Sequence, residues 1–153
     1  MFLKRFFNQL SISLLMMILL YAGIQLAISQ DSTEIWEDSS TGLIWTVEDN
    51  GTDLSWGQAN GYCESLKLGG HTDWRLPTLD ELEGLYDRSL KKQYKARGPI
   101  NLKAASLWSG TRNKAGDAWS FNFGYGGSSL SSSGGGGCGS VGRALCTCKS
   151  GSK

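Results

Sequence analysis

Four cysteines that follow an apolar N-terminal run constrain the fold of this 153-residue chain more than any other feature. An even number of cysteines in an exported protein indicates disulfides, so two bonds are predicted to staple one domain. Metal binding is the competing interpretation. The Cys146-x-Cys148 spacing is not that of a zinc knuckle and His71 lies far away in sequence, so no metal site is predicted. The four cysteines are Cys63, Cys138, Cys146 and Cys148.

The first 29 residues have the pattern of a secretory signal peptide. Lys4 and Arg5 supply a short positive region, residues 10–28 are almost wholly apolar, and Ala27-Ile28-Ser29 is a small-x-small cleavage signal. An uncleaved membrane anchor is the alternative, since about 19 apolar residues can also span a bilayer. We therefore expect an exported protein that is periplasmic, on the cell surface or secreted. Its mature domain is predicted over 30–149, with a flexible tail over 150–153.

The near-neutral whole chain hides two halves of opposite charge. Residues 30–87 hold thirteen acids and two bases, a net charge of −11, and residues 88–153 hold eleven bases and one acid, a net charge of +10. The two sets can interleave in the fold and cancel. If they separate on the surface instead, the basic side will attract anions.

Two capping boxes predict two helices. Ser55 and Gln58 form the first box, and the helix should end at the glycine pair 69–70. Thr78 and Glu81 form the second box, directly after a proline that cannot continue a strand ladder. Carboxylates in the first turn of this second helix suit the positive end of the helix dipole.

Short strands and loops complete the predicted domain. The Asn-Gly turn over 49–53 offers oxygens that could hold calcium, but it lacks the twelve-residue calcium-loop pattern, so a plain turn is predicted. Residues 88–103 are predicted to be a basic loop with a short helical start, and residues 126–139 a flexible Gly/Ser-rich loop. Strands are predicted over 34–38, 41–47, 107–111, 118–125 and 141–149, the fourth with alternating aromatic residues that include Tyr125.

Several blocks of the chain resemble the Lcl C-terminal-domain-like family of bacterial exported domains. The blocks are TGLIW (41–45), LSWGQANGYCESLKLGG (54–70), DWRLPTLDEL (73–82), LWSGTRN (107–113) and AWSFNFGYG (118–126). The resemblance implies an α+β fold similar to that of C-type lectins, with two helices flanking a small, mostly antiparallel sheet. It also implies binding of sulfated glycosaminoglycans, as in the adhesin after which the family is named.

The resemblance further implies roles for individual residues. Trp74 would be a core aromatic and Arg75 a framework partner for a carboxylate or carbonyl, while His71 would be a surface loop residue rather than a catalytic base. Trp56, Pro77 and Trp108 are the other structural residues expected. The usual last-strand block is close to Val-Arg-Cys-Val-Arg, and this chain departs from it with ALCTCK over 144–149.

The disulfide pairing is likewise implied by the resemblance, because lectin-like folds tie the first helix to the last strand. The predicted pairs are Cys63–Cys146 and Cys138–Cys148. The alternative exchanges the last two cysteines and pairs Cys63 with Cys148 and Cys138 with Cys146.

These features favour an exported, non-catalytic binding module that recognises an extracellular glycan or anionic polysaccharide, and a surface protein is a further partner to consider. One histidine and no nucleophile beside a base argue against an enzyme. A structural or protein-interaction module of the envelope is the alternative. No cofactor and no nucleic-acid partner is expected, and contact with a membrane is expected only if the N-terminal segment is uncleaved. The predicted ligand-binding bases are Arg88, Lys91, Lys92, Lys95, Arg97, Arg112 and Lys114.

Overall fold

A computed structural model describes residues 34–131 and 141–151, which belong to one compact unit, Glu34–Lys153. The expected signal peptide and Cys138 lie outside the described residues. Within the described ranges, no helix is both long enough and apolar enough to cross a membrane. The elements are β1 (Ile35–Asp38), β2 (Leu43–Thr46), α1 (Trp56–Ser65), α2 (Leu79–Leu85), β3 (Ser106–Arg112), β4 (Ala118–Asn122), β5 (Gly127–Ser131) and β6 (Thr147–Lys149).

The strands form two three-stranded antiparallel sheets with two helices, so the fold is α+β as expected. The single sheet of the sequence prediction is wrong. One sheet has the order β1-β2-β6 and the other the order β3-β4-β5. In the first sheet Trp36 pairs with Trp45, and Ile44 pairs with Cys148. The beginning and the end of the described domain therefore meet on either side of β2.

Both helices begin at the predicted capping boxes. The side chain of Ser55 accepts from the backbone of Gln58 and that of Thr78 from Glu81, and each partner side chain bonds back to the cap residue. The predicted end of α1 is wrong. The helix stops at Ser65 with an extended cap residue, and the glycine pair 69–70 instead makes a tight turn with φ of 58° and 78°. Positive φ suits glycine, so this turn brings the chain back on itself.

Three strand and loop predictions need correction. The strand predicted over 118–125 ends at Asn122, because Gly126 bonds back to the Asn122 carbonyl (2.8 Å) and turns the chain into β5. Residues 127–131, expected to be loop, are therefore a strand, while 132–140 lie outside the described residues. Of the strand predicted over 141–149, only Thr147–Lys149 is regular. The basic connection 88–103 contains no helix.

Two buried clusters hold these elements together. One packs α2 against the inner faces of both sheets, with Leu82, Leu85 and Phe123 among its members. The other surrounds the disulfide between Cys63 on α1 and Cys146, which confirms the first of the predicted pairs. Cys148 is a free, buried thiol among the described residues, so the alternative Cys63–Cys148 pair is wrong. The second predicted pair involves Cys138, which lies outside the described residues.

Candidate functional site

The DWRLPT block (73–78) is a framework that joins α2 to the first sheet. Trp74 is 2% exposed and its indole Nε1 donates to the Leu68 carbonyl (3.3 Å). The Arg75 guanidinium donates two hydrogen bonds, of 2.8 and 2.7 Å, to the carboxylate of Glu81. The backbone of Arg75 exchanges hydrogen bonds with Thr147 on β6 (2.9 and 3.0 Å). Arg75 therefore ties a helix start to a strand, and Glu81 is the partner that sequence reasoning did not name.

Glu81 serves both the capping box and this ion pair. One carboxylate oxygen accepts from the Thr78 backbone N–H (2.8 Å) as well as from Arg75. Burial alone would raise the pKa of Glu81, but the hydrogen bonds from Arg75 and Thr78 and the positive charge of Arg75 outweigh it. The pKa of Glu81 is therefore held below its ordinary value.

The other residues expected to be structural are buried or packed against the second sheet. Trp108 is fully enclosed and its Nε1 donates to the Leu54 carbonyl (2.8 Å), and Pro77 is also fully buried. Trp56, half-buried at the start of α1, donates from Nε1 to the Ser109 carbonyl (2.9 Å). These contacts leave Trp74, Pro77 and Trp108 little surface on which a polysaccharide could stack.

The connection from residue 88 to residue 97, here called the basic loop, is fastened to the fold at its base. The Asp87 N–H donates to the Lys95 carbonyl (2.8 Å), the Lys95 N–H to the Phe123 carbonyl (2.9 Å), and the Arg97 N–H to the Leu85 carbonyl (2.8 Å). The loop is thus a fixed projection beside the turn between β4 and β5.

The five bases of the basic loop differ in what they can do. Arg97 is engaged inside the fold by Asp38 (2.9 Å) and the Gly84 carbonyl (2.9 Å). Lys92 donates to the Ile100 carbonyl (3.2 Å) and Lys95 to the Gly124 carbonyl (3.4 Å), so both brace the chain. Arg88 and Lys91 are exposed, and neither has a hydrogen bond or ion pair with any other described residue.

The last two predicted ligand-binding bases lie elsewhere. Arg112 ends β3, whereas the basic loop joins the fold near the opposite end, where Ser106 pairs with Asn122. Six residues of strand separate these ends by roughly 20 Å. The Arg112 guanidinium donates from Nε to the Gly116 carbonyl (2.8 Å) and lies over the Trp56 ring, 4.6 Å from its centroid. Arg112 and the exposed Lys114 therefore form a second basic patch, not the rim of the first.

Most other charges of the two halves interleave. Lys103 pairs with Glu48 at 3.2 Å, and Arg143 pairs with Asp49 at 3.1 Å and with Asp53 at 3.3 Å. Asp38, the partner of Arg97, also comes from the acidic half. Burial would raise the pKa of Asp38, but hydrogen bonds from Ser40 and Thr41 and the charge of Arg97 hold it below its ordinary value. Several of the opposite charges of the two halves are therefore paired in the fold, and the exposed cations of the basic loop are among those that remain.

A cavity of about 400 Å³ lies between the first sheet and α2, and its charges are mixed. The carboxylates of Asp38, Asp80 and Glu81 face it together with the cations of Arg97 and Lys149. Such a lining opposes an anionic polymer, so this cavity is a weaker candidate than the basic loop.

Sequence reasoning missed two features of the surface and interior. Tyr125, expected on an aromatic strand face, is 68% exposed, and it follows Gly124, whose carbonyl accepts from Lys95. The prediction of His71 as a surface residue is wrong, because its side chain is only 9% exposed and packs edge-on against the Trp74 ring at 6.1 Å. The tight glycine turn folds His71 inward, which the local sequence does not signal.

Together these features define a small, disulfide-linked α+β domain with a framework arginine and a projecting basic loop. The chain belongs to the Lcl C-terminal domain family, whose model matches residues 34–139. No curated protein and no solved structure matches the chain.

Proposed function

We propose that this protein is an exported, non-catalytic binding module that recognises an anionic polysaccharide outside the cell. The observation that carries the proposal is that the basic loop, which holds the exposed Arg88 and Lys91, is fastened to the chain next to the exposed Tyr125. Arg88 and Lys91 project on the basic loop, and Lys95 of the same loop is bonded to the residue before Tyr125.

The chemistry of these groups suits a sulfated or uronic polymer. Guanidinium and ammonium groups bind sulfate and carboxylate by charge-assisted hydrogen bonds. The flat face of Tyr125, 68% exposed, offers an apolar surface on which a sugar ring can stack. A long polymer can also reach the second basic patch at Arg112 and Lys114, which adds affinity through multivalency.

A C-type-lectin-like arrangement is part of the proposal. In support of it, β1 and β6 both pair with β2, so the ends of the domain are adjacent. The Cys63–Cys146 bond ties the first helix to the segment that leads into the last strand. Such folds carry their binding residues on loops that a rigid scaffold holds in place, and the basic loop is held in that way.

The absence of catalysis is proposed from the two most reactive side chains. Cys148 is 1% exposed, and burial together with the nearby Asp73 carboxylate raises the pKa of its thiol to about 11, despite the opposing charge of Arg75. A protonated, enclosed thiol does not serve as a nucleophile. His71, the one histidine of the chain, is buried against Trp74.

Salt-gradient elution from immobilised heparin tests the proposal. The parent chain should be retained at low salt and released as salt rises, because the Debye length falls from about 10 Å at 0.1 M to about 3 Å at 1 M. Arg88→Gln with Lys91→Gln should elute at clearly lower salt, and Tyr125→Ala should also weaken retention. Lys67→Gln is the control: it removes one exposed charge outside the basic loop and should change elution much less than Lys91→Gln alone.

An envelope scaffold that binds another protein is the second candidate, and the edge of the second sheet favours it. β5 is an edge strand in the order β3-β4-β5, and Leu130 on it is 43% exposed. Edge strands can accept a strand from a partner. If the parent is not retained at low salt, or if the basic-loop variant elutes like the parent, the polysaccharide proposal fails and this one stands ahead.

A further inference from the structure

Three potential metal ligands from two segments that are distant in sequence lie together at the start of the DWRLPT block. A ring nitrogen of His71, a carboxylate oxygen of Asp73 and the Sγ atom of Cys148 all lie within 4.8 Å of one another. His71 and Asp73 belong to the segment after α1, whereas Cys148 belongs to β6. The sequence predicted no metal site because it did not reveal that these two segments meet.

The His71 ring has a nitrogen atom near this cluster that could act as a metal ligand. Its side chain is 9% exposed, and its Nδ1 atom is buried without a hydrogen-bond partner among the described residues. This Nδ1 atom lies 4.0 Å from Oδ1 of Asp73. A buried imidazole nitrogen without a partner is costly, since such polar groups are nearly always satisfied. A bound cation would satisfy it.

The backbone holds the three side chains in place. Leu68 and His71 exchange hydrogen bonds of 3.2 and 2.9 Å across the glycine turn. Arg75 exchanges hydrogen bonds with Thr147, next to Cys148. The segment carrying His71 and Asp73 is thereby pinned to the strand carrying the thiol.

We propose that His71, Asp73 and Cys148 form a zinc site with a fourth position open to solvent. A thiolate, an imidazole and a carboxylate are the ligand types that zinc takes, whereas calcium and magnesium prefer oxygen alone. Zinc binding would displace the proton that the Cys148 thiol holds in the metal-free protein. Around tetrahedral zinc the ligand atoms stand about 3.3–3.8 Å apart, given bonds of about 2.0–2.3 Å. The present spacing needs a closure of about 1 Å, which the Asp73 side chain, 40% exposed, can supply.

The neighbouring Arg75 does not prevent a cation from binding. Its guanidinium acts electrostatically on Cys148, yet it is matched by the bidentate bonds to Glu81 at 2.8 and 2.7 Å. The ion pair is therefore close to neutral as seen from the cluster. The solvent-exposed side of Asp73 leaves room for a water as the fourth ligand.

The test uses the full chain after chelator treatment, with zinc titrated by calorimetry and cobalt as a spectroscopic substitute. One equivalent of zinc should bind and raise the melting temperature by on the order of 5–10 °C at a hundredfold excess over the dissociation constant. Cobalt should give a thiolate charge-transfer band in the near ultraviolet, which a site without sulfur lacks.

Three variants remove one ligand each and a fourth is the matched control. His71→Phe, Asp73→Asn and Cys148→Ala should each weaken zinc binding by at least about tenfold. The cobalt thiolate band should vanish in Cys148→Ala alone among variants that still bind metal. Cys138→Ala removes the cysteine that has no role in the proposed site and should bind like the parent. Asp73→Asn changes an exposed side chain, so its folding is secure even if a core variant unfolds.

The outcomes that overturn the site are distinct from those that bear on polysaccharide binding. The proposal is wrong if the parent binds no zinc, including the case in which Cys138 and Cys148 are found joined as a disulfide. It is also wrong if Asp73→Asn binds zinc like the parent, or if Cys138→Ala loses binding. Retention on heparin is expected to be the same with and without zinc.

Discussion

Arg75 contributes to stability at the scale of a single residue because it connects three parts of the chain at once. Arg75→Ala leaves the half-buried Glu81 carboxylate without its bidentate partner, while the capping hydrogen bond remains. Since the Arg75 side chain is 37% exposed, the expected loss of unfolding free energy is only about 1–2 kcal/mol. Arg75→Lys should recover part of it, because an ammonium cannot reproduce the paired geometry. Urea unfolding measures both variants, and an unchanged midpoint for Arg75→Ala would sink the framework role.

The effect of replacing Trp74 can be compared with the effect of replacing Arg75. Its ring is 2% exposed, so Trp74→Ala should cost about 3–5 kcal/mol in the same urea experiment. The order of the two losses, with Trp74 the larger, separates a packing role from an electrostatic one. If both variants unfold like the parent but lose retention on heparin, the DWRLPT block is a ligand site instead of a framework.

At the scale of an element, the capping carboxylate of α2 makes stability depend on pH. The pKa of Glu81 is lower in the folded protein than its usual value of about 4.3. A lowered folded pKa gives stability that is present above the unfolded pKa and is lost as pH falls through the folded pKa. Melting temperature should therefore fall as the pH drops below the unfolded pKa of about 4.3. Glu81→Gln should melt lower at pH 7 and show a shallower acid decline, and an equally steep decline would show that other carboxylates, such as Asp38, dominate.

Elements also show which parts of the fold the sequence could predict. Helix starts were predictable, because a capping box lies within four neighbouring residues, as at Ser55 and Thr78. The end of α1 was not, since its cap residue Leu66 is extended and carries no glycine signal. β5 was missed because its Gly-Ser-Ser-Leu-Ser sequence has little strand propensity, and pairing with β4 decides its conformation.

For the candidate site, the sequence showed where the basic residues lie along the chain, but not which of them are free to bind a ligand. Arg97 and Lys91 look alike in sequence, yet Arg97 is held by Asp38, 59 residues away, and Lys91 projects into solvent. Likewise, the neighbours of His71 depend on the pairing of Arg75 with Thr147, which no local pattern encodes. Long-range contacts of this kind determine which charged or polar groups remain free for a ligand.

At the scale of the whole molecule, the Cys63–Cys146 bond closes a loop with a sequence separation of 83 residues and joins α1 to the segment before β6. Both cysteines are fully buried in the cluster that also holds Trp74 and Trp108. In the chain-entropy model, removing a bond of this span should lower the unfolding free energy by about 4 kcal/mol. Cys63→Ala with Cys146→Ala should therefore lose most of the stability of a small domain in urea. Cys138→Ala is the control and should unfold close to the parent. Peptide mapping without reduction should recover Cys63 joined to Cys146, and a free thiol at either position, or a double variant as stable as the parent, would contradict this account of how the domain is held together.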